Sequence, residues 1–150
     1  MAHWLMKSEP SVFSIDDLAK KKRSLWDGVR NYQARNFMRE MKLGDLVFFY
    51  HSSCPEPGIV GIMEIVKEAY PDPTQFEPES PYYDPKSSRE NPRWSGVDVG
   101  FKQQLKTVLS LTELKAMPAL TELALVRQGN RLSVMPVSDK EWAAILKKLQ

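Results

Sequence analysis

Two windows near the start of the chain set aromatic rings beside amides, carboxylates and cationic side chains: Trp4-Leu5-Met6-Lys7-Ser8-Glu9-Pro10 and Trp26-Asp27-Gly28-Val29-Arg30-Asn31-Tyr32-Gln33-Ala34-Arg35-Asn36. Both are too polar to be plain core. The combination suits a planar heterocycle on a phosphate chain, because an unpaired base stacks on aromatic faces, short polar groups read its edge, and Arg or Lys holds the flanking phosphates. The stacking candidates are Trp4, Trp26, Tyr32 and Trp94, the last closing a long polar loop from which it could swing as a lid. Ser8, Asn31 and Asp98 are the edge-reading candidates, and Lys7, Arg30, Arg35 and Arg89 or Arg93 the phosphate contacts. The fourth tryptophan, Trp142, shares an i, i+3, i+4, i+7 apolar pattern with Ile145, Leu146 and Leu149 and belongs to a helix packed on the core.

Other chemistries compete for the same residues. Lys7 and Glu9 lie two apart on a strand, hence on one face, where a carboxylate could tune a lysine as a general base. His51-Ser52-Ser53-Cys54 offers a histidine near a thiol, although a Cys beside Pro in a turn makes a weak nucleophile signature. Tyr82-Tyr83, in a loop rich in Pro and Ser, could instead dock a protein partner. With one Cys and two His, a zinc site would have to borrow carboxylates. No phosphate-binding glycine loop, dinucleotide fingerprint or credibly spaced carboxylate pair appears, so no metal and no cofactor is expected.

At 150 residues the chain has the size of one domain, 1–150, with enough length for a single core. Its net charge is only +2, so any electrostatic footprint must come from local clustering of Lys and Arg. The single Cys excludes an intramolecular disulfide, and no long apolar run is present to span a membrane or serve as a secretory leader. The expectation is an intracellular monomer, cytoplasmic or, in a eukaryote, nuclear.

The elements that must position these residues follow from period and punctuation. Alternation over 3–7 gives a first strand, and Ser14 with Asp17 forms a capping box for a helix ending in the cations Lys20 to Arg23. Asn31 caps a second helix reaching about Met41, whose row of Asn31, Arg35 and Arg39 would start at a helix end that favours anions. Strands at 46–51 and 59–66 flank a Pro/Gly turn and form a hairpin. Residues 71–92 read as a long loop, which in a small domain is functional or disordered. Alternation resumes after Trp94, with Val97, Val99 and Phe101 on one side and Asp98 on the other. Ser110 caps a short helix, Pro136 pushes a late strand at 132–137 to a sheet edge, and Ser138 caps the final helix. No strict βαβ alternation occurs, which disfavours a doubly wound sheet and suits a small mixed barrel with helices at its rim.

The chain resembles the EVE domain family, and is similar at fold level to PUA, ASCH and YTH domains. The resemblance runs in order through Trp4–Pro10, Trp26–Met38, Gly44–Ser52, Pro57–Gly61, Pro78–Asp84, Trp94 with Val97–Val99, and Arg131–Val137. It implies an α+β, PUA-like small mixed β-barrel and a noncatalytic module that recognises a modified base, such as a methylated cytosine or adenine, in DNA or RNA. Extrusion of that base into an aromatic pocket is the expected mechanism, with any downstream effect left to a separate effector protein. A small ASCH-like amidohydrolase acting on an acylated nucleoside is the enzymatic alternative, and a protein-interaction module the third.

Overall fold

The computed structural model describes residues 2–149. Strand β1 (His3–Ser8) is followed by helix α1 (Ile15–Lys21), strand β2 (Arg23–Trp26) and helix α2 (Tyr32–Glu40). The hairpin of β3 (Leu46–His51) and β4 (Gly58–Pro71) comes next, then β5 (Ser95–Ser110), α3 (Leu111–Lys115), β6 (Val134–Val137) and α4 (Asp139–Leu149). All six strands join one mixed sheet in the order β2-β5-β4-β3-β1-β6. β1 runs parallel to β3, so the chain between them must cross over, and α1, β2 and α2 form that crossover. Every other pairing is antiparallel.

The sheet curls strongly without closing, leaving β2 and β6 as its two edges. Repeated register shifts along the long β4 and β5 pair supply the curl, because each bulge bends its strand and increases the local twist. Pro136 sits on edge strand β6 opposite Trp4, where a missing N–H is harmless. The capping boxes at Ser14 and Ser110 are both formed, and Asn31 caps α2 through the Ala34 N–H. Strand β2 is the element that pattern alone does not expose. Its four residues are too few to display a period, and they extend because β5 offers them an unpaired edge.

One contiguous core fills the concave side, built on Leu5, Met6, Phe48, Phe49 and Met63 with Met38 and Ile145 from the flanking helices. Trp142 belongs to it, its ring stacked 3.8 Å from Phe48. Trp4 also belongs to it, contrary to its expected role against a base. It is buried, and its Nε1 donates to Asp45 Oδ2 at 3.0 Å. Asp45, itself 3% exposed, accepts in addition from the backbone N–H groups of Ala2 and Lys42 and so ties β1 to the turn entering β3. Removing that acceptor strands a buried indole donor, which costs about 1–3 kcal/mol. Asp45→Ala is therefore expected to lower unfolding stability in urea by about that amount, with Asp45→Asn less damaging because one acceptor oxygen survives.

Candidate base-binding site

A cavity of about 610 Å³ opens where the C-terminal end of β1, strand β2 and the loop 27–31 converge. The two sequence windows meet there. Lys7, Ser8 and Glu9 come from the first, and Trp26 through Asn31 from the second. Val12 and Phe13 of the 9–13 turn, Leu25 of β2 and Val29 give apolar wall, and Tyr82 reaches in from the long loop. The Trp26 ring packs edge-on against Phe49, with centroids 5.2 Å apart and planes at 78°, and edge-on against Phe13. Trp26 is 6% exposed and belongs to the core as Trp4 does, but unlike Trp4 and Trp94 it lines the cavity with part of its indole.

The polar groups divide into those committed to the fold and those left for a ligand. Ser8 Oγ donates to Phe13 O at 2.7 Å, which shapes the turn and leaves the hydroxyl only as an acceptor. Asn31 Oδ1 accepts from Ala34 N–H at 2.9 Å, while its amide nitrogen has no partner within the described residues. Asp27 lies at the outer edge of the cavity. Desolvation pushes its carboxyl above the usual range, and the nearby Asp72 carboxylate pushes the same way. Lys7 is half-buried, and burial draws its pKa down.

Arg30 is fully committed, and this corrects its assignment as a phosphate contact. Its five donors all find protein acceptors: Nε and Nη2 bond Tyr82 O, Nη2 also bonds Thr74 Oγ1, and Nη1 bonds Val29 O and Asp72 Oδ2. Asp72 is wholly buried and accepts twice on each oxygen, from Thr74 N–H and hydroxyl on Oδ1 and from Arg30 and Gly28 N–H on Oδ2. Gly28 has φ +76°, and a Cβ there would lie 2.6 Å from the Tyr82 ring, so only glycine lets that ring close the cavity. Gln75, also fully buried, uses both amide hydrogens on Asp72 O and Trp94 O and accepts from Ser87 Oγ and Trp94 N–H. The long loop is therefore a pinned structure.

Several other sequence candidates lie outside the cavity. Trp94 cannot serve as a swinging lid, because it is buried and its Nε1 donates to Asp84 Oδ2 at 2.8 Å. Tyr32 stacks on Trp94 at 4.9 Å and is covered in turn by Arg35, whose Nη1 bonds Arg93 O. Asp98 does not read an edge here, since it accepts from the Tyr70 hydroxyl and pairs with Arg23 at 3.3 Å. Arg89 covers Phe76 on the outside of the long loop. The sequence reading missed Asp27 and Tyr82 as cavity walls, although Asp27 stood inside the quoted window. The signal that could have found it is the Asp-Gly pair, since Gly28 takes a positive φ that redirects the chain directly after β2. Lys7 and Glu9 share the cavity, but they form no ion pair among the described residues. His51 Nε2 accepts from Ile15 N–H at 3.1 Å, so it is not free to activate Cys54.

With this architecture in view, the chain belongs to the EVE domain family, whose sequence model matches residues 2–148. Human thymocyte nuclear protein 1 is 50% identical over 165 residues, covering 97% of this chain and 72% of that protein. A crystal structure of a protein from Pseudomonas syringae is 58% identical with a TM-score of 0.98, covering 99% of this chain and 100% of the other. The human THYN1 protein in complex with 5-methylcytosine-containing DNA is 49% identical with a TM-score of 0.92, covering 100% and 98%. A YTH domain of Zygosaccharomyces rouxii shares the fold alone, at 11% identity and a TM-score of 0.57.

The Arg30–Asp72 pair holds the second window to the long loop, and truncating one partner leaves the other's charge buried. Such losses cost about 3–5 kcal/mol. Arg30→Ala is expected to lower the unfolding midpoint strongly and to speed proteolysis within 72–94, and Arg30→Lys should not restore it, since an ammonium cannot make the forked set of bonds.

Proposed function

We propose that this protein is a noncatalytic reader of a modified nucleic-acid base, with cytosine methylated at C5 as its best-fitting ligand. The observation that carries the reading is the cavity itself. It places an uncommitted carboxylate, Asp27, and the uncommitted amide nitrogen of Asn31 beside the Trp26 ring, in a volume suited to one nucleoside. A cytosine edge presents an amino donor beside ring acceptors, so Asp27 accepts from N4 and Asn31 donates to N3 or O2. Thymine carries O4 in place of that amino group and would set oxygen against carboxylate. Val12, Phe13 and Val29 supply apolar surface for the 5-methyl group, and the base ring meets Trp26 through the part of the indole that lines the cavity. The human relative in complex with 5-methylcytosine-containing DNA supports the same choice of ligand.

Reaching the cavity requires the base to leave its stack, either from a single strand or by extrusion from a duplex. Extrusion costs a few kcal/mol, and stacking inside the protein returns about 1–3 kcal/mol per base. Discrimination by one methyl group in an apolar notch is worth roughly 10- to 200-fold. No group lining the cavity needs to react with the base, and the downstream consequence falls to occupancy of the site or to a separate effector.

The test is binding of matched oligonucleotides, DNA and RNA, carrying cytosine, 5-methylcytosine, thymine or N6-methyladenine at one position and one salt concentration. Wild-type protein is expected to favour 5-methylcytosine over cytosine by about tenfold or more. Asp27→Asn should erode the preference over thymine, and Trp26→Phe should weaken binding while keeping most of the packing on Phe49. Equal affinity for every base in a folded wild-type protein would reject the reading, and turnover of an acylated cytidine lost in Lys7→Ala would favour the hydrolase.

A further inference from the structure

A second cavity, about 560 Å³, lies on the far side of Lys7, which lines both. Its walls carry Lys115 at the C-terminal end of α3, Arg127 and Asn130 of the segment preceding β6, and Tyr50 of β3. Charge separates the two cavities. Glu9 and Asp27 offset the cations of the first, whereas no acidic residue lines the second. Lys7, Lys115 and Arg127 take part in none of the ion pairs among the described residues. Asn130 Oδ1 is occupied by Leu132 N–H, which leaves the amide hydrogens as further donors.

Lys7 is the most telling member. It is half-buried, burial works against its charged form, and its ammonium sits 5.9 Å from the Tyr50 ring, with no carboxylate, Glu9 included, in an ion pair with it among the described residues. A cation withdrawn from water without a counter-charge is costly, and an anion delivered by a ligand would relieve that cost.

We propose that the second cavity seats the phosphodiester backbone next to the base held in the first, with Lys7 as the shared contact and Lys115 and Arg127 extending the track. This rests on the base-reading function, because it is the base in the first cavity that fixes which phosphates arrive. It also divides the labour of the site: base identity is read on the Trp26 side, and sequence-independent affinity comes from the Lys115 side. The cationic row expected on α2 is engaged elsewhere, Arg35 with Asn36, Arg93 O and the Tyr32 ring and Arg39 with Ser95, so it is not the principal track.

The experiment is fluorescence anisotropy of a single-stranded DNA with one 5-methylcytosine, and of its unmodified counterpart, between 50 and 200 mM salt, on scales set by counterion release. Lys115 and Arg127 are both exposed, so the double variant Lys115→Ala/Arg127→Ala should fold normally. Loss of two phosphate contacts should lower the slope of log affinity against log salt by about 1.4, with the ratio between methylated and unmodified DNA retained. Lys147→Ala/Lys148→Ala removes the same charge from the end of α4 and should leave the slope as it was. An unchanged slope in the first double variant, an equal drop in the second, or no salt-dependent binding by the wild type would overturn the proposal. A lost methylation ratio in the wild type with the slope effect intact would reject the base reading instead and leave a cationic track for unmodified strands.

Discussion

A single buried carboxylate organises the functional end of this molecule. Asp72 gathers four donors from three residues, and through Gly28 and Arg30 it fastens the window that carries Trp26, Asp27 and Asn31 to a loop more than forty residues further along the chain. Neither partner could be buried alone. Arg30 needs acceptors for five donors, and the backbone carbonyls of Tyr82 and Val29, the Thr74 hydroxyl and the Asp72 carboxylate provide them at one place. The cavity is thus a by-product of satisfying a guanidinium. Once the loop is drawn in, Tyr82 becomes a wall and the intervening groups face the space that remains.

The division between committed and free polar groups explains which sequence expectations survived. Alternation, capping boxes and turn residues exposed every strand but β2, the four helices and the edge position of Pro136, and the resemblance to EVE domains supplied the PUA-like arrangement that periodicity alone would not select. The convergence of Lys7, Ser8, Trp26 and Asn31 in one cavity was legible because both windows were too polar for core. Trp4, Trp94 and Asp98 were misplaced for a common reason. Each has a polar atom whose partner, Asp45, Asp84 or Tyr70, lies 10 to 41 positions away, so the residue type looked uncommitted when the fold had already engaged it. Arg30 is the extreme case, a cation in a motif that reads as ligand-binding and in fact belongs to the scaffold.

Residues left free are those whose bonds to the chain are incomplete, and they are few. Among the described residues, the Asp27 carboxylate bonds no other residue, the Asn31 amide nitrogen has no partner, and Lys7 makes no ion pair beside two cavities. Lys7 is the costly one of the three, because it is half-buried without a paired carboxylate, whereas Asp27 is open to water. The scaffold tolerates this cost because the stability of the fold comes from an apolar core centred on Phe48 and Phe49, away from the cavity mouth.

The close approach of Tyr82 to Gly28 carries a consequence for how the chain can change length. Loops usually accept insertions at small entropic cost. Between Asp72 and Ser87 this one has no slack, since Asp72, Gln75 and the Tyr82 carbonyl are each bonded at fixed points and the ring already touches backbone. An added residue beside one of those bonded points would displace the wall that Tyr82 forms. Beyond it, the tip at Arg89 and Glu90 is exposed and bracketed only by the Ser88–Asn91 bridge. That tip is a place where a longer segment could lengthen the outer face without altering the volume in which a base would sit.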